Sequence, residues 1–102
     1  MKAVRVQYTV KSEFVEQNKN NIQAVMEEIR KNPIEGMFYS TYQLPDEVSF
    51  MHVNIAVDAE TMNKLNNVAA FTKFRMALKA SEPMMAPKGE DLNFVGSSIN
   101  LF

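Results

Sequence analysis

Val48-Ser49-Phe50-Met51-His52-Val53-Asn54-Ile55-Ala56-Val57 is the stretch whose reading decides the fold. It alternates with period two, so successive side chains point to opposite faces of a sheet. One face reads Met51, Val53, Ile55 and Val57. The other reads Phe50, His52, Asn54 and Ala56, and it carries the only histidine of the chain. The first face asks for a core. The second is neither clean core nor clean solvent surface. The stretch therefore reads as a central strand whose second face is covered, by a partner subunit or around a ligand cavity.

Working outward, residues 37–44 are rich in Tyr, Phe and Thr and read as a strand. Pro45-Asp46-Glu47 supplies turn chemistry and joins this strand to the central one as an antiparallel hairpin. Upstream, residues 3–10 alternate Val4, Val6, Tyr8 and Val10 against Ala3, Arg5, Gln7 and Thr9, a strand again. Ser12 offers an N-cap, and Glu13 and Glu16 suit the first turns of a helix. Phe14, Asn18, Ile22, Val25, Met26 and Ile29 then recur at helical spacing, predicting a helix over 13–31 that ends before Asn32-Pro33. Downstream, Asp58 caps a short helix with Met62 and Leu65 as its contacts. Asn66-Asn67 breaks it, and a second helical piece covers 68–80 with Phe71, Phe74 and Leu78 on one stripe. Residues 81–90, with Pro83, Pro87 and Gly89, read as a loop. Residues 92–102 read as a final strand.

The order strand, helix, strand, strand, helix, strand is the split pattern of ferredoxin-like α+β folds. It predicts a βαββαβ domain over 1–102, with one four-stranded antiparallel sheet and both helices on one face. The helix-covered face is expected to hold Val4, Val6 and Tyr8 with Met51, Val53 and Ile55, and with Val95 and Ile99 from the last strand. The other face then carries Arg5, Gln7 and Thr9, Phe50, His52 and Asn54, and Phe94. Either Tyr39 or Tyr42 points there, since they lie on opposite faces of their strand. Phe50 and Phe94 beside Arg5, His52 and Asn54 suit a pocket with apolar walls and a few polar groups, or a partly polar homodimer interface.

Composition narrows the function. The 102 residues suffice for one core, and the net charge of −1 comes without a concentrated basic face, which argues against nucleic-acid binding. No apolar run approaches the ~20 residues of a membrane span. The absence of cysteine excludes disulfides, thiol catalysis and cysteine metal sites, and fits the cytoplasm. A single histidine excludes multi-histidine metal centres. Met84-Met85 between prolines reads as an apolar loop tip rather than a copper site.

Three runs carry a family likeness: Phe50-Met51-His52-Val53-Asn54-Ile55, then Asp58-Ala59-Glu60-Thr61-Met62, then residues 68–78 with their paired phenylalanines. Together they resemble the antibiotic biosynthesis monooxygenase-like domains of the dimeric α/β-barrel superfamily. The resemblance implies a homodimer whose two sheets form a barrel. It also implies a cavity beside the sheet and, in active members, oxidation of aromatic or quinol substrates without bound metal or flavin. This chain has no tryptophan and presents Asn66 and Asn67, without histidine, on the second helical region, where active members commonly carry Trp or His. That departure argues against the haem degradation seen in relatives.

Each candidate has two readings. His52 is a general base for a phenolic substrate or a hydrogen-bonded interface histidine. Asn54 donates to an oxyanion or bonds a neighbouring strand. Arg5 draws in an anionic substrate or pairs with an acid. Tyr39, Tyr42, Phe50 and Phe94 line the ligand site or simply pack. Three functions stay open: a cofactor-independent oxygenase on a small aromatic or quinone-like compound, a non-catalytic binder of a small apolar molecule, and a structural homodimer. The dimer is expected first, because a monomer would leave Ile99, Leu101 and Phe102 and the mixed sheet face in water.

Overall fold

The computed structural model describes residues 1–102. It contains strand β1 (Lys2–Thr9), helix α1 (Val15–Lys31), strands β2 (Met37–Gln43) and β3 (Ser49–Ala56), helices α2 (Ala59–Asn63) and α3 (Ala69–Ala80), and strand β4 (Met85–Leu92). The strands form one sheet in the order β2-β3-β1-β4, and every neighbouring pair is antiparallel. This is the ferredoxin-like α+β arrangement that the element order predicts. The central strand of the expectation is β3, and it sits inside the sheet.

Local chemistry sets the boundaries. The Asp46 carboxylate accepts from the Val48 and Ser49 amides at 3.0 and 2.8 Å and from the Ser49 hydroxyl at 2.6 Å, which locks the β2–β3 turn. Asp58 caps α2 as expected, its Oδ1 accepting from Thr61 N at 2.8 Å. Ser12 makes no such cap; residues Ser12–Phe14 form a short 3-10 turn that leads into α1. A second 3-10 turn, Lys64–Asn67, is the predicted break between α2 and α3. Helix α3 has no cap of its own. Instead Glu28 of α1 reaches across and accepts from the Ala69 and Ala70 amides at 3.1 and 2.9 Å, placing a carboxylate at the positive end of the helix dipole. Gly36 adopts φ +80, and a Cβ there would meet Val57 Cγ2 at 3.0 Å, so only glycine suits this entry into β2.

The core lies between the sheet and the helices. Tyr8, Val10, Ile22, Val25, Phe50, Phe74 and Leu78 form it. Burying a side chain such as Val25 or Phe50 contributes roughly 1.5–3 kcal/mol. Here the β3 expectation is reversed. Val6 lies opposite His52, Tyr8 opposite Phe50 and Val4 opposite Asn54. Directly opposed residues share a face. Once Val4, Val6 and Tyr8 turn to the helices, Phe50, His52, Asn54 and Ala56 turn with them. Met51, Val53 and Ile55 lie on the open face, opposite Gln7, Arg5 and Ala3. Placing both apolar sets under the helices would have needed a one-residue slip of register.

The last strand is also corrected. β4 is Met85–Leu92, inside the segment expected to be a loop, while residues 93–102 form no strand. Gln7 pairs with Lys88 and Thr9 with Met85, so Ala86 and Pro87 together oppose Tyr8. Two residues against one is a bulge, and a bulge on an edge strand is where proline is tolerated. β4 takes the edge of β1 that a later final strand would have filled. Val95 is 98% exposed and Ile99 67% exposed, so neither enters the core, and Phe94 lies outside the sheet at 38% exposure. No helix is long and apolar enough to cross a membrane.

Candidate functional site

His52 stands in the middle of β3, on the helix-covered face, with both ring nitrogens engaged. The Tyr8 hydroxyl lies 2.8 Å from Nε2, and the Tyr39 hydroxyl lies 2.6 Å from Nδ1, which Thr41 Oγ1 also approaches at 3.1 Å. The sheet builds this cluster directly, since Thr41 is the β2 partner of His52 and Tyr8 lies one same-face step along β1 from Val6. From α1, fully buried Asn18 donates through Nδ2 to the Tyr8 hydroxyl at 2.9 Å. Phe74 of α3 lies over the imidazole, with ring centroids 5.2 Å apart.

Burial pushes the His52 imidazolium down to a pKa of about 4, so the ring is neutral at neutral pH. Burial likewise raises both tyrosines above the usual phenol range, and they keep their protons. A neutral imidazole has one N–H and one bare nitrogen. The two tyrosines therefore play opposite parts: one accepts from the ring and the other donates to it, and exchange of tautomer exchanges the parts. The arrangement can relay a proton between two hydroxyls without creating a buried charge.

Beside this cluster lies a partly open cavity of about 240 Å³. Val4, Val6 and Asn54 of the sheet form its floor, Met62 and Leu65 one side, and Phe71, Phe74, Arg75 and Leu78 of α3 its wall, with Pro87 at the β4 edge. Tyr8, Tyr39 and His52 also face it. Asn54 is 8% exposed, and its Oδ1 has no hydrogen-bond partner.

No family model matches the chain, and no curated protein does. Solved structures do. One described as an antibiotic biosynthesis monooxygenase superposes with a TM-score of 0.79 over 94% of this chain and 100% of its own, at 13% identity. SnoaB, a cofactor-independent oxygenase from Streptomyces nogalater, gives a TM-score of 0.70 over 97% of each chain at 11% identity. The chain has the antibiotic biosynthesis monooxygenase fold. A conserved protein from Methanosarcina mazei Go1 shares it with a TM-score of 0.72 over 90% of this chain and 92% of its own, at 19% identity. At these identities the likeness is one of architecture alone.

Within the monooxygenase fold the candidates separate. His52, Asn54 and Tyr39 come together at the cavity, which answers which tyrosine joins the histidine. Phe50 is on the same face but 2% exposed in the core, stacked on Tyr8 with centroids 5.8 Å apart. Arg5 does not converge with His52. It lies on the open face, where Nε donates to Glu90 Oε1 at 3.0 Å and Nη2 lies 2.8 Å from the same oxygen. Tyr42 is also on the open face, half exposed, opposite Met51. Phe94 is outside the sheet. Sequence reasoning missed Tyr8 and Asn18 as polar partners. Tyr8 read as core, and Asn18 read as one more position on the apolar stripe of α1. An asparagine on such a stripe was itself the signal, because a buried carboxamide needs a partner.

Proposed function

We propose that the protein is a small monooxygenase-like protein that takes a small aromatic or quinol-like compound into the cavity beside His52 and oxidises it with molecular oxygen, without a bound cofactor. The observation that carries this reading is His52 held between the hydroxyls of Tyr8 and Tyr39 on the wall of a mostly apolar cavity. An apolar chamber with a few convergent polar groups is the usual form of a ligand site. SnoaB, which shares the architecture, is named as a cofactor-independent oxygenase. In such a step the substrate supplies the electrons: one oxygen atom enters at a ring C–H, as an oxygen of the quinone that forms, and the other leaves as water. Loss of the substrate's hydroxyl proton raises its electron density towards oxygen. A tyrosine hydroxyl takes up that proton as His52 accepts the tyrosine's own at one nitrogen and gives up its N–H at the other to the second tyrosine, so His52 stays neutral and acts through a tyrosine.

The test is oxygen uptake with small hydroxyaromatic and quinol substrates, followed by product analysis. Turnover that disappears in His52→Ala and falls sharply in Tyr39→Phe supports the reading. Uptake unchanged in His52→Ala overturns it.

One observation favours a second reading, a binder without turnover. Both ring nitrogens of His52 are already occupied, and an imidazole with a pKa of about 4 is a weak base. Ligand affinity with no oxygen uptake selects this reading over the first.

A second copy of the chain is the expected partner at the open sheet face. Phe38 and Tyr42 are 48% and 50% exposed there, beside Met51, Val53 and Ile55. A sheet face this apolar suits association better than water.

A further inference from the structure

Two polar groups of the cavity are left over by the hydrogen-bonded cluster, and they differ in kind. Asn54 is buried, and its carboxamide oxygen meets nothing. A buried acceptor without a partner is destabilising, and a bound donor would relieve that. A hydroxyl is the group that suits it best, because it donates and accepts and so satisfies either orientation of the carboxamide. Arg75 is exposed and lines the same cavity. Its guanidinium lies 5.5 Å from the Phe71 ring centroid, and Nη1 donates to Asn66 Oδ1 at 3.2 Å. None of the chain's ion pairs includes it. The site thus has an unpartnered carboxamide inside and an uncompensated cation at its rim.

The size of the cavity limits what lies between them. About 150 Å³ suffices for benzene, and sites for drug-sized ligands begin at about 300 Å³. At about 240 Å³ this cavity falls between the two. Its aromatic wall of Phe71 and Phe74, with centroids 6.0 Å apart, suits a flat ring.

We infer that the cavity selects a single-ring hydroxyaromatic acid, its hydroxyl leading inward to Asn54 and its carboxylate trailing at the rim on Arg75. The inference rests on the ligand-site reading above and narrows it, excluding molecules of three fused rings. The hydroxyl and the carboxylate sit across the ring from each other, because one polar group is buried and the other exposed.

Calorimetric titration of the wild-type protein with 4-hydroxybenzoate, benzoate, phenol and anthracene-2-carboxylate tests it. The expected result is 4-hydroxybenzoate binding at least tenfold tighter than benzoate and than phenol, with no binding of the three-ring acid. Asn54→Leu then removes the advantage over benzoate, and Arg75→Gln removes the advantage over phenol. Equal affinity for the three single-ring probes, or binding of the three-ring acid as tight as theirs, overturns the selectivity and leaves the ligand site standing. Binding of none of the four overturns both. The wild-type series decides the matter even where a variant does not fold.

Discussion

The Tyr39 hydroxyl approaches His52 Nδ1 to 2.6 Å from one side of the ring while the Tyr8 hydroxyl approaches Nε2 to 2.8 Å from the other. The two tyrosines are not equivalent. Removing the Tyr39 hydroxyl leaves Nδ1 with Thr41 at 3.1 Å, so Tyr39→Phe is expected to cost about 0.5–1.5 kcal/mol. Removing the Tyr8 hydroxyl strands both Nε2 and the Asn18 carboxamide, whose Oδ1 is already without a partner. Tyr8→Phe is expected to cost more, about 1–3 kcal/mol. Urea denaturation of the two variants ranks them, and a larger loss in Tyr39→Phe contradicts the assignment of the cluster.

Acid should destabilise the protein before its carboxylates titrate. The folded state holds His52 neutral down to about pH 4, whereas the unfolded chain protonates it near its ordinary value of 6.5. Between those values the unfolded state binds the extra proton, so the stability is fully present above about pH 6.5 and falls as pH drops towards 4. The whole effect is on the order of 3 kcal/mol. Asp46 and Asp58, whose pKa values are lowered mainly by the Ser49 and Thr61 side chains respectively, add losses in the same direction only at lower pH. Chemical denaturation across pH 4–7 should show this slope in the wild type and a flatter one in His52→Phe.

Glu28 closes the N-terminus of α3 from another helix. Glu28→Ala leaves the Ala69 and Ala70 amides without that acceptor, and a lost cap of this kind costs about 0.5–2 kcal/mol. Because α3 carries Phe71, Phe74 and Arg75, amide hydrogen exchange should accelerate first in α3, while β1 and β3 stay protected. Uniform acceleration across the chain would count against a local role.

The open face should set the oligomeric state. Light scattering at micromolar concentration is expected to give a dimer for the wild type and a monomer for Val53→Glu, which places a charge among Phe38, Tyr42, Met51 and Ile55. A wild-type monomer would remove this face from the account of association.

Much of this architecture was legible in the sequence. Alternation located β1 and β3, helical spacing located α1 and α3, and Asp46 and Asp58 marked their turn and cap. What alternation could not supply was which face of β3 turns inward. Met51, Val53 and Ile55 look more like core than Phe50, His52 and Asn54, and only the pairing of Val6 with His52 reverses that impression. The polar side chains are accommodated inside by partners distant in sequence, Tyr8, Asn18 and Tyr39. β4 was hidden for a different reason. Pro87 and Gly89 read as loop, and nothing local announces that a bulge opposite Tyr8 accommodates the proline. Arg5 lies on the open face, as its own alternation indicates; His52 and Asn54 were the residues given the wrong face, so their apparent convergence with Arg5 was an effect of register.

The central claim is that the cavity beside His52 is a site for a small aromatic ligand. A crystal structure of the protein soaked with 4-hydroxybenzoate tests it most directly. The account predicts a single ring against Phe71 and Phe74, with its hydroxyl within hydrogen-bonding distance of Asn54 and its carboxylate at Arg75. A cavity left empty under saturating ligand, or density only on the open sheet face, would contradict it.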